Sequence, residues 1–255
     1  MRGRVLNEVA VGGALVSEIE YDPASLLEVH CHGTPYVSIV LEGRYTEVRD
    51  DLPARCDAGT IIAHRPREEH ADYFTHYGRC INVELTDTSL AGRFIGALQL
   101  AVKSPPAAGR TATLAAALFR PEAGELREAA LLELLQSLDE TLTPRRSLTP
   151  MPEWLASTVL TFPWIKAIPF SAAARSAGVH PTHFSRTFRR CVGTTPNAYR
   201  MRERVRCASR LLLDSRESLA AVAGACGFSD QSHFSHAFGS LAGIAPGAYR
   251  DVFRR

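Results

Sequence analysis

Hydrophobic positions follow two different rhythms along this chain. Up to about residue 85 they come in short runs. YVSIVLEGRYTEV (36–48) is rich in β-branched and aromatic residues, with a Gly turn in its middle, and predicts strand. GTIIAHRP (59–66) predicts a short apolar strand ended by its Pro, and CINVEL (80–85) alternates with period two. Short strands separated by turn signals predict an antiparallel sandwich or small barrel.

From about Leu90 the period becomes helical. SLAGRFIGALQLAV (89–102) predicts a helix packed on the barrel, SPPAAGR (104–110) a loop, and TATLAAALF (111–119) is too short to assign. ELREAALLELLQSLDETL (125–142) puts Leu131, Leu134, Leu135, Leu138 and Leu142 on one stripe of an amphipathic helix. That stripe is expected to dock on the barrel or on its twin in a homodimer. TPRRSLTPMP (143–152) has the composition of a linker.

Beyond the linker the pattern is helical throughout. Two stretches are the same segment written twice: HFSRTFRRCVGTTPNAYR (183–200) and HFSHAFGSLAGIAPGAYR (233–250). Each follows a small-residue helix that ends in Gly, SAAARSAG or SLAAVAGACG. A short helix, a Gly-containing turn and a second helix make a helix-turn-helix. In the second helices, Phe184 and Phe188, and likewise Phe234 and Phe238, are four apart and share a face predicted to be core. Thr182, Ser185, Arg186 and Arg189 then face outward in the first copy, and Arg190 adds to its expected affinity. Ser232, Ser235, His236 and Gly239 do so in the second, with Gln231 at its N-terminal end. Side chains of these types reach base edges. Between the copies, PNAYRMRERVRCASRLLLDS predicts one long helix, whose Arg202 and Arg206 are four apart and suited to phosphate.

Charge sharpens this picture. The net charge of +2 hides 14 Lys and Arg against 6 Asp and Glu from Met151 onward, a local net of +8, and a net of −6 before it. Only the C-terminal part is therefore expected to meet a polyanion. At 255 residues there is room for two cores. The fold class predicted is α+β with two domains. An N-terminal antiparallel β-barrel with following helices spans 1–143, with a docking segment at 89–142. A linker occupies 144–151, and an all-α domain with two helix-turn-helix units occupies 152–255. No apolar run is long enough for a membrane span. Glu8, Glu18 and Glu20 break up the N-terminus, so no signal peptide is expected and a cytoplasmic location is. The six cysteines contain no C-x-x-C pair and are expected to be small buried residues.

The last hundred or so residues resemble the DNA-binding domain of the AraC/XylS family of bacterial transcription regulators, through GFSDQSHFSHAF…G…P…YR and its first copy. The resemblance implies recognition helices in successive major grooves of double-stranded DNA, joined by the long helix. The family usually has Arg where His236 stands and basic residues near Gly239 and Ser240, so the first unit is expected to supply most of the affinity. The leading helix SAAARSA also lacks the family's usual large apolar residue.

VHCHGTPYVSIVLEGRYTE and CDAGTIIAHRPREEH are similar to the cupin barrel often joined to this domain. His30 and His32 share a strand face, and His70 falls in the second motif, so the three can form a nitrogen site for zinc, iron, nickel or manganese. The cupin glutamate is missing, with Pro35 and Tyr36 near its place. The alternative is an effector pocket lined by His30, His32, Tyr36, Glu47 and His70 without metal. His64 and His76 are possible substitutes, and Glu47 could complete a site. The chain is thus expected to be a non-enzymatic, ligand-responsive activator that meets RNA polymerase. A metal-dependent cupin enzyme and a ligand-independent DNA-binding protein are the alternatives.

Overall fold

The computed structural model describes residues 3–87, 102–103, 105–120, 126–142, 150–166 and 168–254. It divides into two compact units: Met1–Asp50 with Ala54–Arg145, and Asp51–Pro53 with Arg146–Arg255.

The first unit is a curled antiparallel sheet with two helices on one face. Its strands are β1 (Arg4–Val11), β2 (Ala14–Tyr21), β3 (Ser25–His30), β4 (Tyr36–Arg49), β5 (Leu52–Asp57), β6 (Thr60–His64), β7 (His70–Phe74), β8 (Gly78–Leu85) and β9 (Val102–Lys103). One layer runs β1-β2-β8-β4-β6-β9, and β3 pairs β7, which pairs β4. The predicted Gly turn inside β4 is not a turn. The strand continues through it, and its first half pairs β8 and β6 while its second half pairs β7. Gly43 has φ +77°, and a Cβ there would lie 1.7 Å from the Tyr77 carbonyl oxygen. It is therefore a bend in which only glycine fits, and it carries β4 from one layer to the other.

Alternation along these strands divides two cores. Val37, Ile39, Ile61, Ile81 and Val83 face outward to helices α1 (Pro105–Leu118) and α2 (Leu126–Leu142). Their neighbours Val40, Ile62 and Cys80 face the barrel interior with Tyr21, Tyr45 and Phe74. All five leucines of the predicted stripe are buried in the outward core, so the stripe is spent on its own barrel. Each such leucine stabilises the fold by roughly 1.5–3 kcal/mol.

Two helix predictions need correcting. From Pro105 onward SPPAAGR is not a loop. Pro105 opens α1, which absorbs TATLAAAL, because a proline in the first turn lacks only an N–H that would be unpaired anyway. Val102, predicted to end a helix, is in β9 opposite Ile61; the rest of 89–101 lies outside the described residues, as does most of the linker.

The second unit comprises α3 (Glu153–Thr161), α4 (Phe170–Ser176), α5 (Pro181–Val192), α6 (Pro196–Asp214), α7 (Leu219–Ala225), α8 (Gln231–Ala242) and α9 (Pro246–Phe253). Prolines open α5, α6 and α9, and Gly193 and Gly243 close α5 and α8 in the left-handed region at φ 78° and 75°. Thr195, Ser218 and Asp230 cap their helices with side-chain oxygens that accept backbone N–H bonds. The repeat is a repeat of the core: Phe188 meets Tyr199 edge-on at 5.5 Å, and Phe238 meets Tyr249 at 5.2 Å. Phe170, at the start of α4, packs on the first core and supplies the large apolar residue that SAAARSA lacks.

Candidate functional site

The two second helices present the faces that their spacing predicts. Phe184, Phe188, Phe234 and Phe238 have no exposed surface. Around them Thr182, Arg186, Arg189 and Arg190 on α5 are exposed, with Ser185 half-buried. On α8, Gln231, Ser232 and His236 are exposed, and Ser235 is half-buried. The turns differ by one residue. Ala177–His180 joins α4 to α5, and Cys226–Asp230 joins α7 to α8. The two capping side chains differ as well: His180 Nδ1 accepts from the Thr182 N–H, and Asp230 Oδ1 from the His233 N–H.

The arginines of α6 are sorted by burial. Arg202 is exposed. Arg206 is half-buried, and its Nη1 donates to Glu203 Oε1 at 2.6 Å. Arg204, which the sequence did not single out, is 8% exposed and donates to the Ile165 and Lys166 carbonyls at 3.1 and 3.2 Å. Arg250 similarly donates to the Leu212 and Glu217 carbonyls at 3.2 and 2.8 Å. These two cations hold loops on helices. Sequence spacing carried no signal for that, since the acceptor carbonyls are more than thirty residues away.

In the barrel, His30, His32 and His70 come together, with one ligand atom from each lying within 4.8 Å of the others. The register explains it: His30 on β3 stands directly opposite His70 on β7. His30 Nδ1 lies 2.8 Å from the Glu28 carbonyl and His70 Nδ1 3.1 Å from the Glu68 carbonyl. Each ring therefore carries its proton on Nδ1 and offers the Nε2 lone pair, the arrangement that orients histidines toward a metal. His32 Nε2 is buried without a partner. Burial lowers the pKa of His32, and it lowers that of His70 to about 4, so both rings are neutral near pH 7. This donor set fits a divalent metal. Where the cupin glutamate is missing, Tyr36 stacks on His32 at 4.1 Å.

His64 lies beside the cluster, 4.1 Å from His70 ring to ring and 3.6 Å from Glu47 by Nε2. His76 is exposed on another loop and bonded to Thr75. Glu47 is 1% exposed, and burial raises its carboxyl pKa to about 7 against the pull of Arg49. It faces His64 rather than the three histidines. A cavity of about 190 Å³ opens beside the cluster, lined by Leu15, Ile19, Leu27, His32, Asp72 and Asn82 among others. Asp72 Oδ1 and Asn82 Oδ1 are buried there without partners. Contrary to the sequence expectation, two cysteines are not buried: Cys31 is exposed and Cys207 half-buried.

The second unit is thus of the class of duplicated helix-turn-helix DNA-binding domains. A family model described as a helix-turn-helix domain matches residues 173–251. This domain is of the AraC type. Over 89 residues the chain is 35% identical to a probable transcriptional regulator, LumQ, of Photobacterium leiognathi, covering 35% of this chain and 36% of that protein. Over 81 residues it is 46% identical to the HTH-type transcriptional regulator GlxA of Rhizobium meliloti, covering 31% and 25%. The matched region thus spans about a third or less of those relatives. For the barrel, a cupin superfamily protein of Desulfitobacterium hafniense is 12% identical at a TM-score of 0.31, covering 34% of this chain and 82% of that one.

Proposed function

We propose that this chain is a transcription regulator that places α5 and α8 in double-stranded DNA under the control of its barrel. The observation that carries this reading is the pair of second helices with buried phenylalanines and polar, accessible opposite faces. The surplus of positive charge in the same part of the chain supports it. Arg186, Arg189 and Arg190 on α5 supply most of the base and phosphate affinity. Gln231, Ser232, Ser235 and His236 on α8 read fewer positions. Arg202 contacts phosphate; Arg206, already paired with Glu203, contributes less.

The barrel serves as the sensor. His30, His32 and His70 would hold a divalent metal through neutral imidazoles, and such an ion would supply a Lewis-acid anchor for an effector in the adjoining cavity. No catalytic step is assigned, and the regulatory reading makes the chain a non-enzymatic activator that works in the cytoplasm with RNA polymerase. A homodimer remains part of this reading. With the leucine stripe buried in its own barrel, a dimer would use the outer side of α2, where Leu126 and Leu132 are exposed.

Selection of bound fragments from random oligonucleotides tests the central part. A defined sequence should emerge. On it, Arg186→Ala should cost about 1–3 kcal/mol and relax one base position, while His236→Ala costs less. A larger loss from His236→Ala would reverse the ranking of the two helices.

A further inference from the structure

We propose that Cys207 and Cys226 form a dithiol that a hydroperoxide closes reversibly into a disulfide, fastening the second helix-turn-helix unit to the connecting helix. Cys207 lies on α6 and is half-buried; Cys226 ends α7 and is fully buried. Their Sγ atoms are 2.6 Å apart. A disulfide bond is about 2.05 Å long, so closure needs a movement of only about half an ångström. The next residue, Gly227, packs closely on the segment before α4: it has φ +80°, and a Cβ there would lie 1.8 Å from the Ile165 carbonyl oxygen.

The two thiols are also unequal. The hydrogen bond from Cys226 brings the Cys207 thiol down to about 7, and Arg210 acts in the same direction. The Cys226 thiol is pushed up. Cys207 is thus the nucleophile, both more acidic and more accessible, and Cys226 the resolving partner. The Cys207 thiolate attacks one oxygen of the hydroperoxide. An S–O bond forms, the O–O bond breaks, and the departing alkoxide takes a proton to become an alcohol. The Cys226 sulfur then attacks Cys207 Sγ; the S–S bond forms, the S–O bond breaks, and hydroxide leaves with the Cys226 proton as water. Two thiols and one hydroperoxide give one disulfide, one alcohol and one water, with two electrons passing to the peroxide.

The bond would close a loop that contains the end of α6 and all of α7, so it should stabilise the C-terminal unit against unfolding. This inference does not depend on the DNA-binding reading. The test is to treat the reduced full-length protein with a small excess of tert-butyl hydroperoxide and map its peptides without reduction. One intramolecular Cys207–Cys226 cross-link is expected, two hydrogens lighter than the dithiol. It should be accompanied by a higher melting temperature for the C-terminal unit. Dithiothreitol should reverse both changes, and Cys207→Ser and Cys226→Ala should abolish both. Should the buried Cys226→Ala fail to fold, the half-exposed Cys207→Ser still provides the comparison. Oxidation confined to the exposed Cys31 would overturn the proposal. So would Cys207 accumulating as sulfinic acid with Cys226 still free.

Discussion

Five arginines lie between Arg200 and Arg210, and burial gives them different roles. Arg204 faces inward and satisfies two loop carbonyls. Arg204→Met should therefore lower stability by about 1–3 kcal/mol, because it leaves buried acceptors unpaired. Arg202→Met, at an exposed position, should leave stability unchanged. Urea melts of both variants distinguish the two roles. The barrel histidines make a second case. His70 has a folded pKa of about 4 against 6.5 unfolded, so it is a group depressed by folding. Its contribution is complete above pH 6.5 and is lost as pH falls toward 4, since the unfolded chain takes up a proton that the folded one refuses. In chelator, the stability of His70→Asn should thus approach that of the wild type as pH falls through this window. Elemental analysis without chelator should find a divalent metal in the wild type and less of it in this variant. An unchanged stability difference across the window would show that His70 is not held neutral by burial. Period-two strand geometry does not place the H-x-H pair: β3 ends at His30, and His32 lies beyond it, in the segment before β4. The place of His64 was not legible in the sequence, because it depends on β4–β6 register, where Tyr36 stands opposite His64.

Turn glycines decide the geometry of both helix-turn-helix units, but not equally. Gly178 has φ +68° with nothing within 4 Å of a built Cβ, whereas Gly227 would drive a Cβ into the Ile165 carbonyl. Gly178→Ala should cost about 1–2 kcal/mol, the penalty of a left-handed alanine, and Gly227→Ala clearly more. Thermal melts that rank them the other way would contradict this packing. Proline and glycine punctuation made the helices of the second unit legible almost to the residue. The same residues misled in the first unit. Gly43 signalled a turn where a long strand bends, and Pro105 and Pro106 signalled a loop where a helix begins. In both places the deciding contact is non-local: the Tyr77 carbonyl lies against Gly43, and the sheet core receives α1. Strand β1 went unread for a related reason. β1 is mostly exposed, so its sequence lacks the buried alternation that marks a strand.

At the scale of the whole chain, charge and chemistry are segregated. The first 150 residues carry a net −6 and the rest a net +8, so a polyanion is attracted by one part and repelled by the other. The polar cluster of the barrel is built from neutral imidazoles and a raised carboxyl, suited to a small ligand or a metal rather than to a nucleic acid. Among the described residues no helix is long and apolar enough to cross a membrane. The division of labour was visible in the charge count and the repeat. The cavity and the thiol pair were not, because each is assembled from residues distant in sequence. Hydroxyl-radical footprinting of the full chain on its selected DNA site tests the central claim most directly. Two protected patches about one helical turn apart on the same face are predicted, with Arg186→Ala weakening one of them. A single patch, or uniform protection with no preferred sequence, would contradict the reading of α5 and α8 as paired recognition helices.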